Sequence, residues 1–323
     1  MPVPPIRLLF LTVLLLTGPA DRRLMAEDAA SRRVRIDYQF QISDVPAGQP
    51  LRVWCPVPQD TPEQTVTVAA DGGWQLTREP RFGNRIAYRE LTATAAPSLH
   101  ALAFVVERKE VVQADIDPTT ASAGVAPSVW LQSNRLVPVA GRHVELMADI
   151  PAEISRRELG QQVYSLVLNH VDYRKDQPGW GRGDTAWVCD SRFGNCTDFH
   201  SLFISMMRSR QVPARFEIGF SIPSDGTSGE LSGYHCWAWF QDEDGVWVPV
   251  DISEADKHPD LARYYFGNLN AHRVAMSVGR DLELVPRQAA EPLNFFVAPY
   301  AEAAGKPVPK EQIKLLHRWS VVR

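Results

Sequence analysis

The sequence predicts an α+β protein in two parts: an N-terminal antiparallel β-sandwich, then a region where a helix-borne cysteine packs on an antiparallel sheet. Three observations predict it. Apolar and polar residues alternate from Val34 onward. The spacing turns helical after Ser155. Between residues 194 and 251, a capped helix start carrying a cysteine precedes two aromatic-rich strands.

In the first part, Val34, Ile36, Tyr38, Phe40 and Ile42 alternate with polar neighbours over a full strand length. Leu51, Val53, Cys55 and Val57 repeat the pattern, and Leu99 to Val112 gives a further strand. Turn clusters at Pro46-Ala47-Gly48 and Asp71-Gly72-Gly73 separate the runs, and Gly83-Asn84 reads as a hairpin turn. The expected sandwich covers residues 31–145 and carries no identifiable chemistry. A boundary falls within residues 118–151, where the texture is irregular and rich in Ser, Ala and Pro.

The second part spans residues 150–323. Ser155-Arg-Arg-Glu158 is a capping-box signature, and Leu159, Val163, Leu166 and Val167 continue it as a helix to about His170. The Gly-rich stretch Gly179 to Gly183 neither follows a strand nor opens a helix, so it is expected to be a surface loop rather than a phosphate cradle. Asn195 is a good N-cap, with Asp198 three residues on. Phe199, Leu202, Phe203 and Met206 mark the buried stripe of the helix that follows.

With 323 residues, 22% charged and 45% apolar, the composition is that of a globular protein. A net charge of −4 argues against nucleic acid as a partner. Four cysteines exclude a disulfide-dense scaffold, and none form a Cys-x-x-Cys pair. No His and carboxylate triad has helical metal-binding spacing, so no catalytic metal and no cofactor is expected. Residues 1–20 read as a signal peptide. Arg7 supplies the positive charge, Leu8 to Leu16 is apolar apart from Thr12, and Gly18-Pro19-Ala20 offers a cleavage site. The mature protein is then exported, periplasmic or extracellular, without stable membrane insertion. An uncleaved anchor is the competing reading.

Cys196 falls at the first helical position, where free N–H groups and the helix dipole favour a thiolate. Its backbone N–H can face a developing oxyanion. Taken alone, a buried inert cysteine explains it equally well. A partner base changes that. Residues 234–240 and 246–251 read as two strands joined by a polar turn ending in Asp244-Gly245. If Phe240 pairs with Val246, His235 lies directly opposite Asp251 on one face. Asp251 could then orient His235 and stabilise its charged form, with Cys196 brought in by packing.

The ordered set Gly194-Asn195-Cys196-Thr197-Asp198-Phe199, Val212-Pro213-Ala214-Arg215-Phe216, Tyr234-His235-Cys236-Trp237 and Trp247-Val248-Pro249-Val250-Asp251 resembles the transglutaminase-like core. This is the papain-type Cys/His/Asp superfamily, in its bacterial exported branch, and the match covers roughly residues 150–290. The resemblance implies a transglutaminase-like catalytic domain over residues 150–323. It also implies Cys196 as nucleophile, His235 as acid/base and Asp251 as the residue orienting His235. The expected function is thiol-dependent acyl transfer or hydrolysis on the amide bonds of a protein or peptide. The rival is a non-catalytic module binding protein or cell-envelope glycan. Papain-like relatives carry a Gln six residues before the nucleophile; Asp190 stands there, so the second oxyanion donor is unassigned.

Several neighbours have structural readings. Arg215 is expected to pair with an acid near the core. Asp198 reads as a helix-start group, and His200 could line the cleft. Trp187 and Trp237 could border the cleft or donate an indole N–H. Cys236 should point away from His235 into the core. Cys55, Cys189 and Cys236 allow at most one disulfide among themselves, with no pair selected.

Overall fold

Strand β1 (Ser31–Ile42) is built on the first alternation: Val34, Ile36, Tyr38, Phe40 and Ile42 are all buried while their neighbours face outward. The same logic makes β2 (Pro50–Val57) and β6 (Ser98–Lys109). The computed structural model describes residues 31–69, 73–113 and 125–322. The expected signal segment, the start of the Asp71-Gly72-Gly73 turn and the residues around Pro118 lie outside this range.

The fold is mixed, with mostly antiparallel sheets. In one sheet β1 lies between β6 and β17 (Arg318–Val321); β3 (Gln64–Ala69) and β10 (Ser228–Glu230) form the edges, and β16 (Ile313–Leu315) also pairs with β1. In a second, β2 lies between β5 (Arg85–Thr92) and β14 (Tyr300–Ala303), flanked by β4 (Gln75–Arg78) and β15 (Lys306–Pro307). Their apolar faces share one buried cluster.

Residues 300–321 thus complete the two N-terminal sheets. The expected division into residues 31–145 and 150–323 does not follow this strand pairing. The physical reason is edge protection: without β14, β16 and β17, both β1 and β2 would present unpaired N–H and C=O groups along one side.

The third sheet has the order β12-β11-β9-β13, with β9 (Ala214–Ser221), β11 (His235–Gln241), β12 (Trp247–Val250) and β13 (Arg273–Val278). Helices α1 (Arg156–His170), α2 (Thr185–Ser191), α3 (Cys196–Ser209) and α4 (Ile252–Lys257) accompany it. Strands β7 (Asp172–Tyr173) and β8 (Phe193–Gly194) form a short parallel pair. Ser155 caps α1 by accepting from the Glu158 N–H. Cys236, Ala238 and Phe240 share a buried cluster with Phe199, Phe203 and Met206 of α3, whereas Trp237, Trp239 and Trp247 belong to a second cluster with Trp54 and Ile86. The sheet therefore uses both faces, as its nearly continuous burial requires.

Gly219 sits opposite His235 on one side and Ala275 on the other, beside a bulge in β13. A Cβ there would overlap the Val274 carbonyl. Gly219→Ala should therefore destabilise the protein by about 1–3 kcal/mol through overpacking. An unchanged denaturation midpoint would show that the two strands are not this close.

Candidate functional site

The site starts from a helix cap. The Asn195 carboxamide oxygen accepts the Thr197 N–H at 3.0 Å, and the Asp198 carboxylate accepts the Asn195 N–H at 2.9 Å. This capping box fixes the first turn of α3. Cys196 opens the helix, so its own N–H has no intrahelical acceptor.

Asp198 also reaches across to the Gly-rich stretch, where it accepts the N–H of Gly181 at 2.6 Å and of Gly183 at 2.9 Å. Arg280 holds the same segment by donating to the Gly183 carbonyl at 3.0 Å and the Ser201 hydroxyl at 2.7 Å. The expected surface loop is therefore a strap, latched over the start of α3. Its backbone passes close to the cap: a side chain on Gly181, whose φ is +86°, would meet the Asn195 amide at 3.3 Å.

His235 opens β11 and Asp251 follows β12. The hairpin register differs from the expected one: Phe240 pairs with Val248, so Trp237 occupies the register position opposite Asp251 and His235 lies diagonal to it. The cause is the turn. Asp242 accepts the N–H of Asp244 at 3.1 Å and of Val246 at 2.9 Å, which draws residues 242–246 into the turn and leaves Gln241 in the strand. A shift of two residues preserves the face, and the diagonal spacing is still within reach of long side chains. His235 Nε2 donates to Asp251 Oδ2 at 2.7 Å. Nδ1 is left free of Asp251, and Cys196 lies within the field of the imidazole.

The Asp251 carboxylate is filled on both oxygens. Oδ1 caps α4 by accepting from the Glu254 N–H and the Ser253 hydroxyl, each at 3.2 Å. Oδ2 takes His235 and also Arg273 from β13, at 2.7 Å. Cys196, His235 and Asp251 are only 2%, 5% and 0% exposed, so their charges must be compensated internally. Burial would raise the Asp251 pKa, but His235 and Arg273 hold it far below the ordinary carboxylate value. Burial opposes a charged His235, yet Asp251 lifts its pKa to about 9. Burial pushes the Cys196 thiol up, but hydrogen bonds from Cys236 and His235 and the imidazolium charge bring it well below an ordinary thiol.

Cys236 points into the core on the face away from the Trp237 cluster, as expected; α3 packs on that face, so its Sγ lies 3.6 Å from His200 Nδ1 and close to Cys196. His200 is fully buried and neutral, its pKa lowered to about 4 chiefly by burial. Its Nε2 accepts the Ile252 N–H at 3.1 Å, pinning α3 to the start of α4. Trp237 cannot serve an oxyanion, because its indole donates to Glu217 at 2.6 Å. Arg215 lies over the rings of Trp239 and Trp247, with Glu217 and Glu63 as the nearby acids. Asp190 pairs with Arg142 at the surface. All four cysteines are free and buried.

Sequence reasoning missed Arg273 and the Asp198 latch. Arg273 begins a strand of otherwise apolar character, an unusual place for a charge, and that is the one local signal it gives. Asp198→Asn should loosen the strap, since an amide has one acceptor oxygen for three N–H donors. The expected result is a loss of about 1–3 kcal/mol with new proteolytic cleavage within residues 175–183. Wild-type resistance to proteolysis would remove the latch.

Residues 146–252, which include Cys196, His235 and Asp251, match the model of the Transglutaminase-like superfamily. An uncharacterised protein of Haemophilus influenzae is 24% identical over 85% of this chain and 87% of its own length. A crystal structure of a candidate cysteine protease from Cytophaga hutchinsonii superposes with a TM-score of 0.52 at 15% identity, covering 90% of this chain and 97% of the other, a likeness of fold alone. Residues 146–252 are thus similar to the Transglutaminase-like superfamily, within a fold that resembles the Cytophaga hutchinsonii structure over nearly the whole chain.

Proposed function

We propose that this protein is a thiol enzyme that transfers or hydrolyses acyl groups from amide bonds of a protein or peptide, with Cys196 as nucleophile, His235 as acid/base and Asp251 as the residue orienting His235. The observation that carries the reading is the 2.7 Å bond from His235 to Asp251 beside a buried cysteine at a helix start. The proposed place of action is outside the cytoplasm, on the strength of residues 7–20.

In this reading the resting site holds a Cys196 thiolate and a His235 imidazolium. The sulfur attacks the carbonyl carbon, and the carbonyl electron pair moves onto oxygen. The Cys196 N–H faces that oxyanion. As the C–N bond breaks, His235 gives its proton to the departing amine or ammonia. Water or an amine then attacks the thioester, losing its proton to His235, and the thiolate is expelled. Asp251 keeps Nε2 protonated throughout, so that Nδ1 does the proton transfer.

The direct test is mass spectrometry of a Gln-containing peptide library incubated with and without a primary amine. Gain of the amine indicates cross-linking, a one-unit gain deamidation, and chain scission a peptidase. Cys196→Ala should abolish every such product while leaving the fold intact, because Ala suits a first helical turn. Product formation by that variant would overturn the reading.

Asp251→Asn should lower turnover on the order of 10- to 1,000-fold, less than the ~10⁴ seen in a Ser-based triad, because thiols ionise more readily. It should also cost about 3–5 kcal/mol of stability, since Arg273 is left buried without an anion. Turnover should further decline as pH rises through about 9, where the imidazolium loses its proton. The sign is that of a raised base: the charged form is complete below this value and lost above it. Full turnover well above pH 9 would exclude His235 as the acid.

A further inference from the structure

We infer that the Tyr234 hydroxyl is the second oxyanion donor of this site, acting with the Cys196 N–H; the inference rests on the thiol reading above. Tyr234 immediately precedes His235, and its hydroxyl oxygen lies 3.0 Å from Asn195 Nδ2, the side chain next to Cys196 in sequence. The orientation of that amide is fixed by the helix cap. Asn195 Oδ1 accepts the Thr197 N–H, so Nδ2 faces Tyr234 and donates to it. The tyrosine oxygen is thereby an acceptor in this bond, and its own hydrogen is directed elsewhere.

Two groups compete for that hydrogen. The Gly181 carbonyl is 3.5 Å away, at the limit of a hydrogen bond. The Thr197 hydroxyl is also close; it gives its own hydrogen to Asn195 Oδ1, so its oxygen can accept from Tyr234 at rest and is exchanged for the stronger, charged acceptor when an oxyanion forms. Burial, reinforced by the thiolate charge, raises the Tyr234 pKa, which keeps the phenol protonated and able to donate. The ring is positioned by Phe295, 5.6 Å away between centroids.

Two of the indole donors around the cap are spent, and the third is packed against other groups. The Trp237 indole bonds to Glu217, and the Trp180 indole to the Lys175 carbonyl at 3.1 Å. The Trp187 ring packs edge-on against Phe193, with its indole nitrogen beneath Gly179. Position 190, where a papain-like Gln would stand, is an aspartate paired with Arg142.

The step is a hydrogen bond, with no net proton transfer from tyrosine. When Cys196 forms its S–C bond, the carbonyl π pair moves to oxygen, and the Tyr234 O–H shares the resulting charge. When the C=O bond reforms, the electron pair returns to carbon and the amine leaves with the proton from His235. Tyr234 ends as it began.

Two reactions of the same sulfur separate this role from a structural one. Acylation by p-nitrophenyl acetate passes through an oxyanion; alkylation by iodoacetamide does not. Tyr234→Phe keeps the ring and removes the donor. It should slow the p-nitrophenol burst on the order of 10²-fold, while the Cys196 alkylation rate stays within about fivefold, a margin set by the ~1 kcal/mol worth of one neutral hydrogen bond. An unchanged burst would overturn the inference. An equal fall in both rates would also overturn it, because Tyr234 would then act on the thiol or the fold. If the wild-type protein shows neither a Cys196-dependent burst nor rapid alkylation, it is the thiol reading itself that fails.

Discussion

The carboxylate of Asp251 is the contact on which the rest of the site depends. It is fully buried, and its two oxygens serve different ends. One caps helix α4, which fixes where the carboxylate sits; the other binds His235 and Arg273, each at 2.7 Å. An isolated carboxylate at this depth would cost several kcal/mol in lost hydration. Arg273 offsets that charge, so His235 can carry a proton for Cys196 rather than merely neutralise Asp251. Thiolate, imidazolium, carboxylate and guanidinium together sum to zero. A charge-balanced cluster can stay dry, and a dry cluster strengthens every field acting on the sulfur.

The scaffold supplies the four members from separate elements: Cys196 from α3, His235 from β11, Asp251 from the end of β12 and Arg273 from β13. Local rules explain each arrival. The Asn195–Asp198 capping box starts α3 at the cysteine, and neutral His200 ties that helix to the start of α4. The Asp242 turn sets the hairpin, and β9 lies between β11 and β13, so Arg273 approaches from across the sheet. The strap at residues 179–183 is held against the start of α3 by Asp198 and Arg280.

Much of this was legible in the sequence, because it is written in short-range patterns. Alternation marked β1, β2 and β6, and capping residues marked the starts of α1 and α3. Parity placed His235 and Asp251 on one face even though the register was displaced by two residues. What stayed hidden is long-range. Nothing near Arg273 states that it will meet an acid 22 residues earlier, across two intervening strands. Nothing near residues 313–321 states that they will pair with β1 at the other end of the chain. Glu217 and the Trp237 indole satisfy each other in the core, a match that only packing reveals.

The most direct measurement of this account is the rate at which iodoacetamide alkylates Cys196 as a function of pH, followed by mass spectrometry of the labelled peptide. If His235 and Cys236 hold the sulfur as a thiolate, the rate is already high and nearly flat on the acid side of neutrality, and His235→Ala restores an ordinary thiol profile. If instead the wild-type rate rises only near pH ~8.5, where an unperturbed cysteine ionises, Cys196 is a buried structural thiol and the account is contradicted.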